Sequence, residues 1–168
     1  MIKSKKSPVL ADDWAVSRFK IKYCIKANPK VVRDSDDAAR ILHKMWDKDL
    51  MNVQEQIGAL YLDSRSQCLG FRLISTGKLN LTNLDTPLLL SCGLLSRAHS
   101  VIIAHNHPAG DPTPSRADIR TTLQVMKSME LVGLKLYDHI ILSQDTWHSM
   151  ADARNFIPYW KRKEDGRR

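Results

Sequence analysis

Two histidines, His105 and His107, are separated by one residue, and Asp118 follows after ten more. Alternate residues of a strand point to the same side, so histidines at this spacing at a strand end can turn both imidazoles toward one ion. Pro108, Pro112 and Pro114 stiffen the connecting segment and lower the entropy lost in holding a loop beside a metal. Asp118, in the first turn of a following helix, supplies a hard oxygen. Two nitrogens and one oxygen leave a fourth tetrahedral position for water, as in a catalytic rather than a structural zinc site. Plainer readings stand beside this one. Ser115 and Asp118 match the S-x-x-D capping box, so Asp118 could serve backbone amides at the helix start, alone or together with an ion. An HxH pair alone is a weak signal, and Asp111 reads equally well as a turn residue.

These side chains need elements to hold them. The run SVIIA, residues 100–104, is short and β-branched, which suits a buried central strand that delivers the chain into the loop HNHPAGDPTPS. Ser115 caps the next helix, which passes through Leu123, Met126 and Leu131 to a stop at Gly133, and LKLYDHIIL follows as a strand. Upstream, RFKIKYCIK (18–26) alternates apolar and basic residues at strand period. Ser35 with Asp36 and Asp37 opens a helix that continues through Ala39, Leu42, His43 and Trp46 to about Lys48. The later part of VQEQIGALYLD, the turn SRSQ and CLGFRLIST predict a hairpin. Asp85, Thr86 and Pro87 open an apolar helix to about Arg97, with proline where its missing N–H is harmless. The order strand, helix, hairpin, helix, strand, helix, strand implies an α/β fold with a mixed sheet and packed helices.

At 168 residues the chain suits one domain, and 43% hydrophobic with 26% charged residues argues against wholesale disorder. No apolar run approaches the roughly 20 residues of a spanning helix. The amino terminus carries positive charge without an apolar segment behind it, so a cytoplasmic, non-membrane protein is expected. Cys24, Cys68 and Cys92 form no CxxC pair and read as small buried hydrophobes. The net charge of +8 is concentrated at the ends. Residues 1–50 hold 12 Lys/Arg against 7 Asp/Glu, residues 51–150 hold 8 against 8, and residues 151–168 hold 6 against 3. Solvated basic tails are the expected meaning; contact with nucleic-acid phosphates is the other. The expected organisation is a basic arm over 1–17, a domain over 18–157 and a basic tail over 158–168.

The stretch HNHPAGDPTPSRAD, His105 to Asp118, resembles the signature of JAMM (MPN+) metalloproteases: HxH, ten residues, then Asp. More narrowly, HNHP-x-GDPTPS resembles the bacterial RadC family, long labelled DNA repair proteins. Leu60 to Asp63, the Gly77-Lys78-Leu79-Asn80 turn and Asp138-His139 extend the likeness over about residues 35–155. Thr86-Pro87-Leu88, where the family usually has His-Pro-Arg, and Ala109, where serine is common, depart from it. Longer relatives begin with a helix-hairpin-helix region, and no such segment is read here.

The resemblance implies a single JAMM/MPN-like domain with a cytidine-deaminase-like layer arrangement, and one zinc ion on His105, His107 and Asp118. It implies Glu55 as the proton carrier, from the pattern Glu55-Gln56-Ile57-Gly58-Ala59-Leu60; no other glutamate precedes Glu130. By itself, Glu55 reads as a solvated residue at a strand start. Ser115 falls where JAMM enzymes place a serine that helps hold the oxyanion. Asp138 and His139 are candidates to support the ligands from behind, a buried structural histidine being the alternative for His139. The implied activity is zinc-dependent hydrolysis of a peptide or isopeptide bond. A DNA-associated accessory protein with a structural metal is the alternative. His43, His99 and His148 lack partners at ligand spacing, and Trp46, Trp147 and Trp160 read as core or surface anchors.

Overall fold

The computed structural model describes residues 29–78 and 84–156. The expected strand at 18–26, Cys24, Leu79, Asn80, Trp160 and both basic ends lie outside these residues. Among the described residues, three helices and five strands follow in the order α1 (Ser35–Met45), β1 (Gln56–Leu62), β2 (Cys68–Thr76), α2 (Thr86–Leu95), β3 (Ser100–Asn106), α3 (Arg116–Leu131), β4 (Lys135–Leu142) and β5 (Trp147–Ser149). The sheet order is β2-β1-β3-β4-β5. Only β3 and β4 run parallel, joined by the α3 crossover; the other neighbours are antiparallel. This is the mixed α/β sheet that the pattern implied.

Alternation along the strands sorts the core into two sides. Ile57, Ala59, Tyr61, Val101, Ile103 and Ile141 pack with Leu89 of α2 and Val125, Met126 and Met129 of α3. Leu60, Leu62, Ile102, Ala104, Ile140 and Leu142 pack with Ala38, Ala39 and Leu42 of α1. Strands β1 and β3 are buried along their whole length because helices cover both faces. Full burial of a side chain such as Leu42 contributes about 2 kcal/mol to this arrangement.

The caps explain where the helices start and stop. Asp34, one residue before the expected start, caps α1 by accepting from the Asp37 amide at 2.8 Å, and the helix ends at Met45 because Trp46 is extended. Asp85 caps α2, which stops at Leu95, two residues short of Arg97, a residue at φ 54°. Gly133 ends α3 at φ 77°, a left-handed conformation that favours glycine. At Gly58 a Cβ would lie 2.6 Å from the Phe71 ring, which packs over this position of β1 and fills the space a side chain would need. Strand β5 was not foreseen, being only three residues long. Cys68 and Cys92 are free and half-buried rather than fully buried as expected.

Candidate metal centre

Strand β3 runs two residues beyond the expected SVIIA, so His105 and Asn106 belong to the sheet and His107 is the first residue past it. The sheet extends because the His107 amide still donates to the Leu142 carbonyl of β4, at 2.8 Å. His105 is buried and His107 half-buried, their rings 4.7 Å apart in an edge arrangement. Asp118 returns from the start of α3. His105, His107 and Asp118 together form a group that could hold a metal ion, with one ligand atom from each lying within 4.8 Å of the others.

The distances allow a direct test of fit. The Nε2 atoms of His105 and His107 are 2.9 Å apart, and Asp118 oxygens lie 3.6 Å from His105 Nε2 and 3.7 Å from His107 Nε2. These separations bracket the ~3.3 Å edge of a tetrahedron drawn about a zinc with bonds near 2.0 Å. The proton inventory points the same way. His107 Nδ1 lies 2.7 Å from the Asp111 carbonyl, which can only accept, so that nitrogen carries the proton and Nε2 is left facing His105. Two imidazole nitrogens and a carboxylate turned toward one point make a donor set able to hold a cation, and its spacing fits zinc.

Electrostatics follow from this crowding. Burial, and then the adjacent His139, push the His105 ring well below the usual histidine range. His107 moves the other way, raised chiefly by its contact with Asp118, with Glu55 contributing in the same sense. Burial works upward on Asp118, yet contacts with His107 and Ser115 and the proximity of His105 overrule it and hold this carboxyl below the usual range. Asp118 is therefore an anion facing two imidazoles.

The Ser115–Asp118 capping box is formed in full, and it leaves an Asp118 oxygen turned toward the histidines. The Ser115 hydroxyl accepts from the Asp118 amide at 3.1 Å, and Asp118 Oδ2 accepts from the Ser115 amide at 2.7 Å. One carboxylate oxygen caps the helix while Oδ1 faces His105. Glu55 lies immediately before β1. Ile57 pairs with His105, and carrying this antiparallel register two residues outward sets Glu55 beside His107. Glu55, Lys78, His107, Ser115 and Asp118 line one open cleft of about 480 Å³. His105 is buried and does not line this cleft.

Of the two candidates behind the ligands, His139 reaches the centre, its Nε2 lying 2.7 Å from His105 Nδ1. Asp138 takes its hydrogen bonds from the β4–β5 corner instead: Ser149 Oγ at 2.6 Å, the Ala151 amide at 3.0 Å and the His139 amide at 2.6 Å. Alternation along β4 sends these adjacent side chains to opposite faces. His99 and His148 have other neighbours, Lys135 Nζ and Asn155 Oδ1, each at 3.0 Å. Trp46 is a core anchor, its ring centroid 5.9 Å from that of Phe71.

Two further residues, neither conspicuous in the sequence, shape the site. Asn106, between the histidines and wholly buried, donates to the carbonyls of Met51 and Gln54 at 2.6 and 2.9 Å and accepts from the Gln56 amide at 2.7 Å. It thereby clamps the peptide groups on both sides of Glu55. Its signal was available: an asparagine inside HxH must face the opposite side of the sheet, where an amide needs partners. Thr122, one turn after Asp118, meets His139 at 2.6 Å, and a threonine within a helix gives no such hint.

A mixed five-stranded sheet with a His-His-Asp group at the end of its central strand defines the class of domain. The RadC-like JAB domain family matches residues 32–155, and the chain belongs to it. A UPF0758 protein of Carboxydothermus hydrogenoformans is 42% identical over 103 residues, covering 61% of this chain and 46% of that protein. One from Bacillus licheniformis is 35% identical over 122 residues, covering 73% and 53%. Another, from Clostridium beijerinckii, is 29% identical over 148 residues, covering 88% and 63%. The chain thus spans about half the length of the curated relatives it matches. Among the described residues no helix is long and apolar enough to cross a membrane.

Proposed function

We propose that this chain is a zinc-dependent hydrolase of JAMM type that cleaves a peptide or isopeptide bond. The observation that carries the reading is the convergence of two imidazole nitrogens and the Asp118 carboxylate at separations suited to one zinc ion, beside a cleft lined by Glu55 and Ser115. Bound zinc supplies Lewis acidity, which lowers the pKa of a coordinated water from about 15.7 to about 7. Glu55 takes a proton from the attacking water and passes it to the departing amine as the carbon–nitrogen bond breaks. The Ser115 hydroxyl accepts from the Asp118 amide, which leaves its proton available to the carbonyl oxygen as negative charge develops. Water's oxygen ends on the new carboxylate, and its protons balance the amine.

Glu55→Ala should retain zinc and abolish zinc-dependent cleavage of a peptide or isopeptide library, whereas His107→Ala should lose both. Equal hydrolysis by the wild type and Glu55→Ala would refute the role given to Glu55.

A separate observation favours the DNA-associated reading. A cleft of about 820 Å³ on the α1 side is lined by Arg40, His43, Lys44 and Lys48, with Asp145 among them. If it holds phosphates, affinity for duplex DNA should fall steeply with salt and weaken further in Lys44→Ala/Lys48→Ala. Absent or salt-insensitive binding counts against that reading.

A further inference from the structure

Behind His105 lies a chain of buried hydrogen bonds whose direction is set from one end. Thr122, His139 and His105 are 0%, 0% and 1% exposed, so none can exchange partners with water, and burial favours neutral rings. Thr122 Oγ1 lies 2.6 Å from the Asp118 carbonyl, which has no proton to give. The hydroxyl's single proton therefore points at that oxygen. Met150 Sδ, at 3.7 Å, is a weaker competitor.

With its proton committed, Thr122 Oγ1 can only accept from His139 Nδ1, at 2.6 Å. A neutral imidazole carries one N–H, so a proton on Nδ1 leaves a lone pair on His139 Nε2. That lone pair accepts from His105 Nδ1, at 2.7 Å. The one proton of His105 is thereby held on its inner nitrogen. Its outer nitrogen, Nε2, faces His107 and Asp118 with a lone pair.

We propose that Thr122 and His139 are positioning residues, a directed relay anchored on the Asp118 carbonyl that locks His105 in the tautomer able to ligate a metal through Nε2. The proposal rests on the metal-binding reading of His105, His107 and Asp118. It gives α3 two tasks within one turn, since Asp118 offers a side-chain oxygen to the centre while its own carbonyl sets the relay. Without the threonine hydroxyl, His139 has no acceptor at Nδ1 and gains by moving its proton to Nε2, where it donates to His105 Nδ1. His105 must then carry its proton on Nε2, which a metal has to displace.

The test uses the full chain with ¹⁵N-labelled histidine, metal-free near neutral pH and then zinc-loaded, with zinc affinity measured by chelator competition. Imidazole ¹⁵N shifts of the metal-free wild type should show both His139 and His105 protonated at Nδ1. Thr122→Val should move the His139 proton to Nε2 and weaken zinc binding about 10- to 100-fold, while Thr122→Ser stays within about threefold of the wild type. A wild-type spectrum with the proton on Nε2 of either ring overturns the relay, as does zinc affinity of Thr122→Val equal to wild type. Should Thr122→Val fail to fold, the wild-type spectrum and Thr122→Ser still decide. A wild type that takes up no zinc removes the metal reading instead, and the spectrum judges the relay separately.

Discussion

Asp118 at the start of α3 and Asp138 in β4 are both nearly inaccessible, 5% and 4% exposed, yet their carboxyls are driven in opposite directions. Asp118 faces two imidazoles and the Ser115 amide, and its pKa is held below the ordinary range. Burial pushes Asp138 up to about 6, and the neutral donors Ser149 Oγ and the Ala151 and His139 amides only partly offset it. Burial alone thus does not decide whether a carboxylate stays charged; the groups that contact it do. One aspartate is suited to a cation, the other to fastening a strand corner.

Removing each carboxylate in turn tests that division most strongly. Asp118→Ala should lower zinc affinity on the order of 1,000-fold, a share of about 4 kcal/mol for one ligand, and Asp138→Asn should leave chelator-competition curves unchanged. Zinc binding that depended on both equally would erase the distinction. On stability the ranking should reverse. Asp138→Ala strands the Ser149 hydroxyl and two buried amides and should destabilise the chain by about 4 kcal/mol in urea titrations, against ~1 kcal/mol for the loss of the Ser115 cap in Ser115→Ala.

A smaller effect lies in the pH dependence. The folded pKa of Asp138 is raised from 3.8 to about 6, so the folded state holds this proton more tightly than the unfolded chain does. The stability it contributes is fully present below about pH 4 and lost as pH rises to about 6, by up to ~3 kcal/mol. His105 and His139, both lowered by burial, slope the other way in this region, since protonating them favours the unfolded chain. The stability difference between the wild type and Asp138→Asn isolates the aspartate. It should fall between pH 4 and 6 and level above; a flat difference would show that Asp138 is not the perturbed group.

Local signals were legible wherever they act within a few residues. Ser115 and Asp118 announced the capping box, Asp85 and Pro87 the start of α2, Gly133 the end of α3, and the turn 64–67 its hairpin. Strand β5 was not legible, because three residues carry no usable period and are held by pairing with Ile140, Ile141 and Leu142. Strand β3 ran two residues past its β-branched run because the His107 amide still pairs with Leu142 of β4, and α1 stopped short of Lys48 where Trp46 turns extended.

The amino-acid sequence by itself determined the donor types, the HxH spacing that sends two imidazoles to one face, and the helix start that returns Asp118 to them. These follow from backbone periodicities that hold in any fold. Only the tertiary structure decided that Glu55, some fifty residues earlier, stands beside His107, that Asn106 clamps the peptides flanking it, and that Thr122 and His139 back His105 while Asp138 faces away. Those pairings depend on strand register and on the α3 crossover, which arise from burying both faces of the sheet at once. No short stretch of chain encodes them.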